Sequence, residues 1–164
     1  MESKPLTHLS SIDSPYARCN DVNKDGFTLH HPDDSSVCIK ISTEAVPYDE
    51  AKEACQAYPN GRLFVSDSLE KISLITVDGV FVGLSDAITE DMWVWADGRG
   101  MTQNERTGLF ADGEPNNNRN EDCAALLDIY DTQLTDMQCS IRQRYVCEIP
   151  LGKLCASKFS FYLG

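Results

Sequence analysis

From Glu114 to Asp122 the chain reads Glu-Pro-Asn-Asn-Asn-Arg-Asn-Glu-Asp, and seven of these nine side chains end in a carboxylate or an amide. Asp136 follows shortly after. Calcium takes six to eight hard oxygen ligands from carboxylates, amide carbonyls and water, so the run has the right chemistry for that ion. The same residues also suit an acidic loop that is simply solvated, and residue types alone leave both readings open. Pro115 adds a turn signal, because X–Pro bonds are where cis peptides occur, usually in tight turns.

Other chemistry is thinly represented. Asp21-Val-Asn-Lys-Asp-Gly26 copies the first half of an EF-hand loop, but the twelfth position is Pro32, where a bidentate Glu is required. It reads instead as a hairpin turn. His8, His30 and His31 have no spacing suited to a metal or a nucleophile, and His30-His31 reads as a solvated turn. Gly-x-Ser-x-Gly, His-Glu-x-x-His and a phosphate loop are absent, so the chain is expected not to be an enzyme. No Asn-x-Ser/Thr sequon is present, so N-glycosylation is not expected.

The elements that must position the oxygen cluster can be read from periodicity. Residues 37–42 alternate as a strand, and Pro47 to Tyr58 read as a helix with Ala51, Ala54, Cys55 and Tyr58 on one face. Pro47 suits its first turn, Asp49 and Glu50 suit its positive end, and Pro59-Asn60-Gly61 stops it. Ser66 or Asp67 is placed to cap a second helix running through Leu69, Ile72 and Ile75. Residues 80–84 read as a buried strand and Trp93-Val-Trp95 as another, with both tryptophans assigned to packing. Residues 96–121 show little period and read as a long irregular stretch, a length that is often functional. Two late strands follow, at Cys123–Asp128 and Arg144–Ile149. The order is that of an α+β fold with its helices early.

Composition bounds the partners. The 164 residues are enough for one domain with a core, and the net charge of −12 argues against a nucleic-acid partner. No apolar run is long enough to span a membrane, and the first residues lack the apolar core of a signal peptide. Seven cysteines (19, 38, 55, 123, 139, 147 and 155) without a Cys-x-x-Cys pair suggest an oxidising compartment, hence a secreted or extracellular protein. Six of them can pair in any of 15 ways, and arithmetic does not choose. Cys155 is odd by position, in a short tail, where it offers a covalent homodimer.

Together, Phe81-Val-Gly-Leu84, Trp93-Val-Trp-Ala-Asp-Gly98, Glu114-Pro-Asn116, Glu121-Asp-Cys123 and Tyr145-Val-Cys-Glu148 resemble, in order, the landmarks of a C-type lectin domain over residues 19–150. Residues 1–18 are then an N-terminal arm and 151–164 a C-terminal tail. The resemblance implies a disulfide-braced α+β fold of two helices and small antiparallel sheets with a long calcium-binding loop. It implies the pairs Cys55–Cys147 and Cys123–Cys139, with Cys19–Cys38 as the extra N-terminal bridge of the long-form domain. It implies Glu114, Asn116, Glu121 and Asp136 as principal ligands of a sugar-binding Ca2+, with the Glu114–Pro115 bond cis. Glu114, Asn116, Glu121 and Asp136 would also meet the sugar.

Asp86 and Glu90 match two auxiliary-site ligands of that family, which Asn117, Glu121 and Asp122 would complete. Glu-Pro-Asn resembles the version that takes equatorial hydroxyl pairs, as in mannose, glucose, N-acetylglucosamine or fucose, so mannose-type glycans are the expected partners and microbial or self glycan recognition the expected role. The chain departs from the family where Trp-Asn-Asp usually precedes a framework cysteine: here Leu134-Thr135-Asp136 stands. The Thr135 hydroxyl can still serve calcium, but it is shorter than Asn and brings no amide donor. That change favours the alternative of an interaction domain that binds a protein or a mineral surface without sugar.

Overall fold

The computed structural model describes residues 19, 25–32, 35–127 and 133–153. In chain order the elements are β1 (Thr28–His30), β2 (Ser35–Ile41), α1 (Tyr48–Gln56), β3 (Arg62–Leu63), α2 (Leu69–Ile72), β4 (Val80–Ser85), β5 (Val94–Trp95), α3 (Gln103–Leu109), β6 (Cys123–Leu127), β7 (Gln133–Met137) and β8 (Arg144–Lys153). The sheet runs β1-β2-β8-β4-β6-β7, with β3 added on β8 and β5 on β4. Pairing is antiparallel except between β4 and β8.

β4 is the centre of the molecule. Val80, Val82 and Leu84 pack into one apolar cluster with Phe64, Trp95, Leu126 and Leu134, while Phe81 joins a second cluster with Phe27, Ala51, Cys55 and Cys147 beneath α1. A strand buried on both faces reads as a continuous apolar run, as this one does. Each such side chain contributes roughly 1.5–3 kcal/mol on leaving water. Gly83 has no room for a side chain: a Cβ there would lie 2.6 Å from both the Ala96 Cβ and the Leu63 carbonyl oxygen.

α1 buries Tyr48, Ala51 and Cys55, and Tyr48 meets the Phe81 ring edge-on at 5.4 Å. The helix gives way at Ala57, and Gly61 packs back against it so closely that a Cβ there would stand 2.3 Å from the Cys55 carbonyl oxygen. Disulfides join Cys19 to Cys38, Cys55 to Cys147 and Cys123 to Cys139, with Cα separations of 5.8, 5.2 and 5.2 Å. Among the described residues no helix is long and apolar enough to cross a membrane. Trp93 and Trp95 are both buried.

Several expectations are corrected. The second helix is one turn, Leu69–Ile72, capped by the Ser68 hydroxyl on the Lys71 N–H rather than by Ser66 or Asp67. Successive turn bonds, Leu74 N–H to Lys71 and Ile75 N–H to Ile72, take over where a longer helix was expected. The stretch 96–121 is not irregular throughout, because α3 occupies residues 103–109 within it. A strand unread in the sequence, β7, pairs along the whole of β6. His30 ends β1 opposite Val37 instead of lying in a turn, with its Nε2 2.8 Å from the Thr28 hydroxyl. β8 continues to Lys153, four residues past the end of the strand expected at Arg144–Ile149. The arm 1–18, most of the EF-hand-like segment, Asp128 and Cys155 lie outside the described residues.

Candidate functional site

The oxygen cluster stands where the long loop meets β7. α3 opens with a capping box in which the Thr102 hydroxyl accepts the Glu105 N–H and the Glu105 carboxylate accepts the Thr102 N–H. At its far end Ala111 donates its N–H to the Leu134 carbonyl at 2.9 Å, which fastens the loop beside Thr135 and Asp136. Gly113, with φ +87°, turns the chain, and Glu114 donates back to the Ala111 carbonyl at 2.9 Å. The Glu114–Pro115 bond is cis.

Beyond it Asp136, buried on β7, receives the loop backbone: Asn116 N–H reaches Oδ1 at 3.1 Å and Asn117 N–H reaches Oδ2 at 2.5 Å. The Asn116 amide donates to Glu114 Oε2 at 2.6 Å, and its carbonyl accepts the Asn118 N–H at 2.8 Å. Asn117 accepts the Glu121 N–H at 2.9 Å, closing the turn over residues 117–121. Asn117, Arg119 and Asn120 hold positive φ, a conformation asparagine tolerates better than most residues.

The electrostatics are those of crowded carboxylates. Burial, then hydrogen bonding and repulsion from Asp136, push Glu114 up to about 7, against the pull of hydrogen bonds from Asn116 and Thr135. Glu121 is raised by burial and by Asp136. Glu114, Asn116, Glu121, Thr135 and Asp136 are therefore brought together.

The auxiliary set forms a neighbouring group. Asp86 is pushed up to about 6 by burial, against the Asp91 N–H that it accepts at 3.0 Å, with Glu90 and Asp122 adding repulsion. Its second oxygen, Oδ1, is buried without a hydrogen-bond partner. Asp122 joins Asp86 through its backbone carbonyl, which accepts the Asp86 N–H at 3.1 Å, and its carboxylate accepts the Asn120 amide at 2.6 Å. Asn117 is turned toward Glu121 instead.

Among the described residues no three acidic, histidine or cysteine side chains close on one point as a finished metal cage. The carboxylates approach one another pairwise. The donor set nevertheless fits a hard divalent cation, since every side chain offers oxygen and an orphaned buried carboxylate oxygen stands at Asp86. Glu114 and Asp86 titrate high first because burial disfavours their charged forms, and neighbouring carboxylates add repulsion. A cation at either place would relieve that repulsion.

A family model described as the lectin C-type domain matches residues 44–149. The chain belongs to that family. It is 29% identical to the hepatic lectin of Gallus gallus over 158 residues, covering 93% of this chain and 72% of that protein. It is 30% identical to the alpha-N-acetylgalactosamine-specific lectin of Patiria pectinifera over 128 residues, covering 68% of this chain and 73% of the relative. Among solved structures, the carbohydrate-recognition domain of the mouse scavenger receptor C-type lectin superposes with a TM-score of 0.60 at 26% identity, covering 71% of this chain and 94% of that one. The family and these relatives are carbohydrate-binding and non-enzymatic.

Proposed function

We propose that this chain is a calcium-dependent carbohydrate-binding lectin that holds Ca2+ through Glu114, Asn116, Glu121, Thr135 and Asp136 and meets mannose-type sugars through Glu114, Asn116, Glu121 and Asp136. The observation that carries the reading is the joining of Glu114 and Asn116 side chains at 2.6 Å on a turn whose backbone Asp136 holds from β7. A bound Ca2+ would supply a Lewis-acidic point that accepts two neighbouring sugar hydroxyls. The protein's own groups do the rest. Glu114 and Glu121 carboxylates accept hydrogen bonds from those hydroxyls, and the Asn116 amide donates one. A vicinal pair of hydroxyls at the right angle satisfies both sides. Asp86, Glu90, Asn117 and Asp122 would hold a second ion that orders residues 117–122.

Two of the relatives are lectins by name, and one is named for N-acetylgalactosamine. Glu114-Pro115-Asn116 is the reason to propose mannose-type hydroxyls here instead. The three disulfides favour export to an oxidising compartment. A second reading, a domain that binds a protein or mineral surface without sugar, is favoured by Thr135, which lacks an amide donor. Retention on mannose resin decides between them. Binding with calcium and release by chelator and by mannose, but not galactose, supports the first. Calcium binding without retention on any sugar resin would establish the second.

A further inference from the structure

Charged side chains form a continuous chain from the interior of β8 to the start of the long loop. Glu148, whose side chain is 1% exposed, lies 2.7 Å from Arg62 Nε and 3.7 Å from Lys71 Nζ. Lys71 meets Asp67 at 3.0 Å, and the other oxygen of Asp67 accepts Arg99 Nη2 at 2.6 Å. Arg99 then spreads its guanidinium over Asp97 at 2.8 Å and Glu105 at 3.7 Å. Glu105 is the acid of the α3 capping box, accepting the Thr102 N–H at 2.6 Å and the Thr102 hydroxyl at 2.7 Å. An isolated exposed pair contributes little, but a shared guanidinium in a connected network with one buried end loses less freedom per bond.

The other end of α3 leads directly into the site. Phe110 bridges Leu134 and packs edge-on against Trp93 at 5.2 Å, and Ala111 bonds the Leu134 carbonyl one residue before Thr135. Glu114 then bonds Ala111. Any tilt of α3 is thus passed to Glu114 and Asn116 within seven residues of the helix end.

We propose that Arg99 is a positioning residue for the binding loop: by bridging Asp67, Asp97 and Glu105 it fixes α3 against the turn carrying Asp67, and so sets where Glu114 and Asn116 stand relative to Asp136. The inference rests on reading that loop as the calcium and sugar site. Lysine cannot replace the guanidinium here, because a single ammonium does not span three carboxylates.

Two physical effects of removing Arg99 have opposite signs, which makes the proposal testable. Coulomb attraction alone says that Arg99→Gln tightens calcium, since a positive charge leaves an already acidic molecule. Positioning says that it weakens calcium. The experiment is calcium titration by calorimetry on the full chain, wild type against R99Q and R99K, with amide hydrogen exchange of residues 103–114 in the metal-free protein. The expected result is calcium affinity weakened roughly three- to tenfold in R99Q and less in R99K. Exchange over 103–114 should be faster while that of β4 and β6 is unchanged. Calcium binding equal to or tighter than wild type in R99Q, with exchange unaltered, overturns the proposal. If wild type takes up no calcium, the site reading fails on its own. The exchange comparison then still decides the role of Arg99: faster exchange over 103–114 supports it, and unaltered exchange refutes it. Should R99Q fail to fold, R99K, which keeps the charge, carries both measurements.

Discussion

The carboxylate of Asp136 accepts the backbone N–H of Asn116 at 3.1 Å, so a strand residue buried in the sheet grips the turn that carries Glu114 and Asn116. The same carboxylate takes the Asn117 N–H through its other oxygen. Asp136→Asn keeps the shape but turns one acceptor into an N–H2 group facing a backbone donor. Leaving a buried donor unsatisfied costs about 1–3 kcal/mol. At this chain length that lowers the melting temperature of the metal-free protein by roughly 2–4 °C per kcal/mol. Calcium affinity should fall by about tenfold or more, because a ligand charge and the turn geometry go together. Scanning calorimetry with and without calcium checks both, and a variant with unchanged calcium affinity would remove Asp136 from the site.

Acid should release calcium. Glu114 titrates at about 7 and Asp86 at about 6 in the metal-free protein, both raised first by burial. Their ordinary values are 4.5 and 3.8. A carboxyl raised in the folded state adds stability that is complete below its unfolded value and is lost as pH rises through the folded one. The metal-free protein therefore loses stability between about pH 4 and 7 at these two groups. The principal site needs Glu114 ionised and the auxiliary site Asp86, so cation affinity rises at each through the same window. Calcium should bind roughly tenfold or more weakly at pH 5.5 than at pH 7.5. Calcium titrations at the two values give the answer, and equal affinities would contradict the carboxylate assignment.

Much of this arrangement was legible beforehand, and the gaps have physical causes. α1 announces itself by an apolar stripe at helical spacing and β4 by a continuous apolar run, and each is buried accordingly. α3 does not, since Leu109 is its one buried residue and Gln103-Asn-Glu-Arg-Thr-Gly shows no apolar stripe. Its signal was the capping box, Thr102 three residues before Glu105. β7 was missed because Gln133-Leu-Thr-Asp-Met is short and its polar Thr135 and Asp136 are buried at the site. The candidate oxygen cluster was readable as a dense local run with Asp136 shortly after it, and Thr135 entered through the family resemblance. Arg99 was not, because its three acids lie 2, 6 and 32 residues away and only the fold gathers them.

Thr135 should limit sugar binding at the proposed site. It is buried beside Glu114, and its hydroxyl is engaged with that carboxylate and with the Asp136 carbonyl at 3.3 Å. Thr135→Asn lengthens the side chain and supplies an amide donor next to the proposed hydroxyl site. One more hydrogen bond in a charged network is worth about 1.5–3 kcal/mol, or tenfold and upward in affinity. Mannose competition against a labelled glycan should therefore show the variant binding at least about tenfold tighter at saturating calcium. No gain, in a variant that still melts cooperatively and still binds calcium, means that Thr135 is not what limits recognition.

The two bridges of the domain body should separate stability from function. Cys55–Cys147 spans 92 residues and ties α1 to β8, within the cluster that holds Phe27, Phe81 and Ala125. Cys123–Cys139 spans 16 residues and joins the start of β6 to the chain beyond β7, on either side of Asp136. Chain entropy assigns about 4–5 kcal/mol to a loop of the first size and about 3 to one of the second. Cys55→Ala with Cys147→Ala should accordingly move the urea midpoint further than Cys123→Ala with Cys139→Ala. The order reverses for calcium at a urea concentration of zero, because the shorter bridge braces Asp122 and Asp136 while the longer one touches neither. Equilibrium unfolding and calcium titration on the two double variants give both orders. If the variant with the larger loss of stability is also the one with the larger loss of calcium affinity, the shorter bridge is not acting on the site.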